Sequence, residues 1–214
     1  MITIQYLGHA CMKVDWNGTT VVFDPYADGS VPGLGDVRES ANQVFCSHGH
    51  GDHNAADLVT VVEKAELPYE VVAIEGYHDD QQGTLRGPNV VRMLVGELDG
   101  QKIRIVHMGD IGCPLTEEQY QMIEDASVVM APVGGHFTAD PAVIHEMMER
   151  IHPQVMIPIH YRSEGIGYDV IGTVDDYTKL CDHVARYEGD TLVYAPDMEA
   201  QTAVLKCKLA KSNL

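Results

Sequence analysis

Apolar and polar positions alternate with a period of two from the start of the chain. Ile2–Leu7, Cys11–Trp16 and Thr20–Phe23 are short β-branched or aromatic runs bounded by turn residues, which predicts an antiparallel meander. Asn17-Gly18 between the second and third runs suits a two-residue hairpin turn better than a glycosylation acceptor. Residues 25–40 hold three glycines and two prolines without periodicity, so a long loop that rims a site is expected. Gln43–Cys46 follows as a buried strand, and Ala55–Lys64 is read as a helix behind the cap residue Asn54.

Further along, Val71–Ile74 is a strand, and Val90–Leu98 and Gln101–His107 form a hairpin across Asp99-Gly100. Glu117–Asp125 is helical behind Thr116, Ser127–Ala131 is a strand, and Pro141–Ile151 is a helix with proline in its first turn. Val155–Ile159, Leu192–Tyr194 and Thr202–Lys206 complete the strands, and Val174–Tyr187 is read as a last helix. The pattern is mixed α/β, without an internal repeat.

A chain of 214 residues with 45% hydrophobic residues has enough apolar material for a sizeable core, and one domain over residues 1–214 is expected. The 14 lysines and arginines against 32 aspartates and glutamates leave a net charge of −18. Such a surface repels phosphate backbones and anionic lipids, so nucleic acid and membranes are not expected partners. Five scattered cysteines without a Cys-x-x-Cys pair argue against a disulfide framework. With no export-type leader and no long apolar run, a cytoplasmic protein acting on a small molecule is expected, and a homo-oligomer is compatible with the sequence.

The chemistry concentrates in Cys46-Ser47-His48-Gly49-His50-Gly51-Asp52-His53-Asn54, between a strand and the next element. Imidazole and carboxylate are ligands for zinc, manganese or iron, and the two glycines let the chain turn alternate side chains into one pocket. His48, His50, Asp52 and His53 point to different sides of such a loop, which suggests two ions sharing it. Further ligand candidates follow apolar strands: His78, His107, Asp110 and His160. No Gly-x-Gly-x-x-Gly, Walker-type loop or Gly-x-Ser-x-Gly elbow is present to suggest nucleotide binding or a serine nucleophile.

The His48-Gly-His50-Gly-Asp52-His53 run resembles the signature of the metallo-β-lactamase fold superfamily. Leu7-Gly8-His9-Ala10, Asp24-Pro25, Gly109-Asp110, Pro132-Val133-Gly134-Gly135 and Pro158-Ile159-His160-Tyr161 extend the resemblance over essentially the whole chain. It is similar in particular to the small, single-domain branch of zinc-dependent hydrolases near the ascorbate-6-phosphate lactonase-like proteins. The resemblance implies an α/β fold, a four-layer αβ/βα sandwich of two mixed β-sheets flanked by helices. It implies a dinuclear site with zinc first and manganese or iron also suited. His48, His50 and His78 would hold one ion, Asp52, His53 and His160 the other, and Asp110 would bridge them. His78 is preferred to His107 because the third histidine of the pattern precedes the Gly-Asp element on a separate strand end.

On that pattern His107 and Asp24 lie behind the ligands and hydrogen-bond rather than ligate. His9 either neighbours the site or serves its strand end. The reaction implied is hydrolysis of an ester, lactone or phosphoester in a small metabolite by a hydroxide bridging the ions, with Asp52 and Asp110 as catalytic residues. Arg86 and Arg162 are rare cations near proposed ligands and are candidates to grip an anionic substrate, with Gly135 and Thr138 along the pocket. A di-iron redox enzyme and a nuclease on the same fold are the alternatives. The first is disfavoured by His50 where di-iron relatives resemble His-x-Glu-x-Asp, and the second by the acidity.

Overall fold

The computed structural model describes residues 1–211. Three strands open the chain, β1 (Ile2–Gly8), β2 (Cys11–Trp16) and β3 (Thr19–Phe23), followed by the short β4 (Ser40–Ala41) and β5 (Gln43–Phe45). After β6 (Thr60–Val61) come β7 (Tyr69–Tyr77), β8 (Pro88–Leu98) and β9 (Gln101–His107), then α1 (Glu117–Ile123), β10 (Val128–Pro132), α2 (Pro141–Ile151) and β11 (Val155–Ile159). The chain ends with α3 (Val174–Thr178), β12 (Val184–Arg186), β13 (Thr191–Tyr194) and β14 (Gln201–Val204).

These strands form two mixed sheets. The first has the order β13-β1-β2-β3-β5, antiparallel except for the β3–β5 pair; the second has the order β12-β14-β11-β10-β9-β8-β7, parallel from β12 to β9 and antiparallel beyond. Both expected hairpins form. Asn17 and Gly18 (φ 52° and 78°) and Asp99 and Gly100 (φ 53° and 77°) take the left-handed conformation that a type I′ turn requires at both central positions.

One apolar core joins the sheets. Trp16, fully buried at the end of β2, packs on Tyr69 with ring centroids 5.5 Å apart, amid Ile2, Ile4, Leu94, Ile103 and Ile105. β10 and β11 are buried along their whole length, as parallel strands covered on both faces should be. The cover includes α2, which buries Ile144, Met147, Met148 and Ile151 and packs on β10, with α1 and α3 against it. The first sheet is covered instead by loop 25–40, whose Tyr26, Val31, Leu34 and Val37 pack on Leu7, Cys11 and Val22.

Two helices expected from the sequence are largely absent. Ala55–Lys64 gives only a 3-10 turn, Ala56–Leu58, before Thr60 and Val61 pair with Ser40 and Ala41. The β-branched run Val59–Val62 is stiff at χ1 and suits extended backbone, and Val59 is spent on the core under loop 25–40. Val174–Tyr187 is helical only to Thr178. The tight bonds Leu180 N to Tyr177 O and Cys181 N to Thr178 O close the helix, and Val184–Arg186 turn away to pair with β14. Among the described residues, no helix is long and apolar enough to cross a membrane.

Candidate metal centre

The loops that leave the C-terminal ends of β1, β5, β7, β9 and β11 carry His9, the 47–53 loop, His78, Asp110 and His160. Strand ends of this kind are where an α/β sheet can converge side chains from separate parts of a chain. The backbone around them is unusual. His9 (φ 55°), Asp24 (46°), His136 (60°) and His160 (52°) occupy the left-handed region without being glycine, a strain that persists only where surrounding structure enforces it.

Asp110, 2% exposed, lies at the centre. Its Oδ2 is 3.1 Å from His53 Nε2, 3.2 Å from His160 Nε2, 3.3 Å from His78 Nε2 and 3.9 Å from His48 Nε2. Ligand atoms of His48, His50 and His78 lie within 4.8 Å of one another, and so do those of His9, Asp52, His53 and His160 and those of His48, His53 and Asp110. The structure thus brings His48, His50, Asp52, His53, His78, Asp110 and His160 into one cluster, with His9 beside Asp52, His53 and His160.

Asp24 organises this cluster from beneath. Its buried carboxylate accepts Ser47 N (2.7 Å) and Ser47 Oγ (2.6 Å), and it pairs with His53 Nδ1 at 2.8 Å. Pairing of Nδ1 with Asp24 fixes the His53 ring so that its Nε2 faces the centre. Ser47 Oγ lies 2.9 Å from His48 Nδ1, so the same carboxylate orients a second ring through the serine. On the far side, Asp110 N donates to Asn89 Oδ1 (2.9 Å), while Asn89 Nδ2 donates to the Met108 carbonyl (2.9 Å).

Electrostatics follow from burial and proximity. Burial alone would raise the Asp110 carboxyl, yet His160 and His53 hold it well below the usual carboxylate range. Burial alone would lower the His53 ring, yet Asp110 and Asp24 hold it well above the usual imidazole range. Burial pushes His48 down to about 4, and the neighbouring His53 works in the same direction. Asp110 therefore stays ionised and places a fixed negative charge at the centre.

The donor set fits divalent ions. Buried His48 Nε2, His53 Nε2, His160 Nε2 and Asp110 Oδ1 have no hydrogen-bond partner among the described residues, a costly arrangement for polar atoms unless something else satisfies them. Imidazole nitrogens and carboxylate oxygens gathered without thiolates suit zinc, manganese or iron alike.

Several expected residues fall differently. His107 stacks on Phe23 (centroids 5.0 Å, planes 7° apart) and pairs through Nε2 with the Ala10 carbonyl at 2.9 Å. It supports the strand end and stands outside the ligand groupings. Arg162 is exposed and donates from Nε to the Ile171 carbonyl (2.8 Å), pinning a turn. Gly135 (φ 62°) is a turn residue whose carbonyl accepts Phe137 N at 2.7 Å. It shapes the pocket wall that His136, Phe137 and Thr138 line, and Arg86 lines the same cavity as His78.

Sequence reasoning missed Tyr168, whose hydroxyl lies 2.9 Å from Ser30 O and 3.3 Å from Asp52 Oδ2, its single hydrogen shared between the two acceptors, and the support from Ser47 and Asn89. His9 Nε2 is 3.2 Å from Asp52 Oδ2, and its ring lies 4.1 Å from that of His160. The only signal for His9 was its place after a strand-ending glycine. His136 is exposed and forms part of the cavity wall.

Replacing His78 with alanine is expected to lower bound metal at constant fold. The His107→Ala variant keeps its metal and loses about 2–3 kcal/mol of stability through its packing and hydrogen bond. Elemental analysis beside urea unfolding separates the two, and the reverse result would move the ligand role to His107. Gly109 (φ 56°) is equally informative, because a Cβ there would stand 2.4 Å from Ser47 Cβ and 2.5 Å from Asn89 Oδ1. Gly109→Ala should cost about 2–4 kcal/mol, with loss of metal as Asp110 shifts, measurable by thermal unfolding.

Two mixed sheets with a histidine and aspartate cluster at their strand ends define a metallo-hydrolase type of centre, and the comparisons agree. Residues 3–160 match the model of the β-lactamase superfamily domain, and the chain belongs to that superfamily. It is 28% identical over 207 residues to a UPF0173 metal-dependent hydrolase of Aeropyrum pernix, a match covering 78% of this chain and 86% of the relative. A solved metallo-β-lactamase superfamily protein of Thermotoga maritima superimposes with a TM-score of 0.75 at 28% identity, over 96% of this chain and 98% of that one. A metallo hydrolase of Ignicoccus hospitalis shares the fold at 18% identity, TM-score 0.64, over 91% and 98% of the two chains. With these relatives the chain is classed as a metal-dependent hydrolase.

Proposed function

We propose that the centre holds two divalent ions, zinc in the first instance, and hydrolyses an ester, lactone or phosphoester bond in a small metabolite in the cytoplasm. The observation that carries this reading is that the buried Nε2 atoms of His48, His53 and His160, partnerless among the described residues, converge within 3.9 Å of the buried Asp110 carboxylate. His48, His50 and His78 would hold one ion, Asp52, His53 and His160 the other, with Asp110 between them. When bound, the ions supply Lewis acidity and lower the pKa of water toward neutrality.

The chain's own residues do the rest. Asp110 orients the centre, itself fixed by Asn89. Asp52 is the proposed proton acceptor, its Oδ2 held by His9 and the Tyr168 hydroxyl. Asp24 and Ser47 keep His48 and His53 in register. Five unpaired cysteines support a reducing compartment.

The test is hydrolysis of a panel of lactones, thioesters and phosphoesters before and after chelation. Activity should fall at least about a hundredfold on metal removal and return with zinc, manganese or iron. Hydrolysis that persists in demonstrably metal-free protein would overturn the reading.

A further inference from the structure

The cavity beside the metal centre has a volume of about 310 Å³ and is lined by His78, Arg86, His136, Phe137 and Thr138, among others. Ligand pockets run from about 300 to 1,000 Å³, so this one suits a small metabolite. Arg86 is the only lysine or arginine among the described residues lining it. Its guanidinium lies over the Phe137 ring, 5.5 Å from the centroid, and makes no hydrogen bond or ion pair among the described residues. In a chain where acids outnumber bases 32 to 14, a half-buried guanidinium without a carboxylate partner needs an explanation.

The loop before Arg86 is built to present it. Asp79, 3% exposed, accepts Gln81 N (2.8 Å) and Gly83 N (2.9 Å) at Oδ1, and Leu85 N (3.0 Å) and Arg86 N (2.7 Å) at Oδ2. Both oxygens of Asp79 thus accept from backbone donors, and these bonds hold its carboxyl below the usual range against the effect of burial. That acid ties the loop into a fixed curve and leaves the guanidinium free. Two other acids of the lining, Asp80 and Asp140, are exposed at the rim, where solvent and salt screen them.

We propose that this cavity is an oxyanion subsite: Arg86 binds a carboxylate or phosphate group of the substrate while the scissile bond lies at the His78 side. Phe137 braces the guanidinium from below and fixes the plane of its donor fork. Asp79 is a positioning residue that acts through Arg86. The inference rests on the hydrolase reading for the phrase "scissile bond", whereas anion binding at Arg86 can be measured without turnover.

The experiment is calorimetric titration of the metal-loaded full chain and its Arg86→Ala and Arg86→Lys variants. The probes are succinate against succinamide, and glycerol phosphate against glycerol. The native chain should prefer the charged member of at least one pair, and Arg86→Ala should reduce that preference about 10- to 100-fold at unchanged metal content. Arg86→Lys, which keeps charge but loses the fork, should fall between them. The pair with the larger Arg86-dependent preference identifies carboxylate or phosphate as the group recognised.

A preference of equal size in native chain and Arg86→Ala would overturn the subsite, even with hydrolysis intact. An Arg86-dependent preference in a chain that hydrolyses nothing would keep the subsite and overturn the hydrolase reading instead. Asp79→Asn is the second arm. It should lower the charged-over-neutral preference in the same direction as Arg86→Ala, a ratio that a general loss of stability would not move.

Discussion

Asp110→Asn is expected to reduce hydrolysis by more than about a hundredfold and to release bound metal. Residues behind metal ligands already cost about 10- to 100-fold when mutated, and Asp110 is closer to the centre than any of those. One of its oxygens sits 3.1–3.3 Å from three imidazole nitrogens, and the other is buried without a partner. An amide of the same shape loses the negative charge that draws a divalent ion to this point and turns an N–H₂ donor toward rings that must remain acceptors. The check is metal content and turnover measured on one preparation, with circular dichroism to show that the fold survives. Full activity with full metal occupancy would remove Asp110 from the account.

Asp24→Ala is expected to be the most damaging change outside the ligand set. The carboxylate is buried and satisfies Ser47 N, Ser47 Oγ and His53 Nδ1 together. Its removal leaves buried donors without an acceptor and the His53 ring without its partner, a loss of about 3–5 kcal/mol for a broken buried pair. Metal affinity should fall about 10- to 100-fold as well, because His48 and His53 both lose the bonds that aim them. Urea unfolding of metal-free protein reads the first effect, and metal titration of the folded variant reads the second. Asp24→Asn should fall between, since one amide oxygen can still accept from Ser47. A variant as stable as the native chain would show that Asp24 is an ordinary turn residue.

The parts of this centre legible in the sequence were those written in short spacing or tied to strand ends. His48, His50, Asp52 and His53 fall in one loop, and both type I′ turns are spelled by Asn-Gly and Asp-Gly. Asp110, His78 and His160 were found because each follows an apolar strand. What sequence could not show was contact across long separations. Tyr168 reaches Asp52 over 116 positions, and Asn89 holds Asp110 from 21 positions away. Nothing local marks either residue.

The helix errors have a different cause. Residues 55–64 and 179–187 have acceptable helical periodicity, but an unfilled edge at β4 in one case and at β14 in the other recruits them as strands. Tertiary pairing overrides weak local preference there.

The most direct test is the metal content of the native chain, purified without a metal-affinity tag and measured by elemental analysis. The account predicts about two divalent ions per chain, reduced in His78→Ala and unchanged in His107→Ala. A well-folded native chain that holds no ion, even after incubation with zinc, manganese and iron, would contradict it.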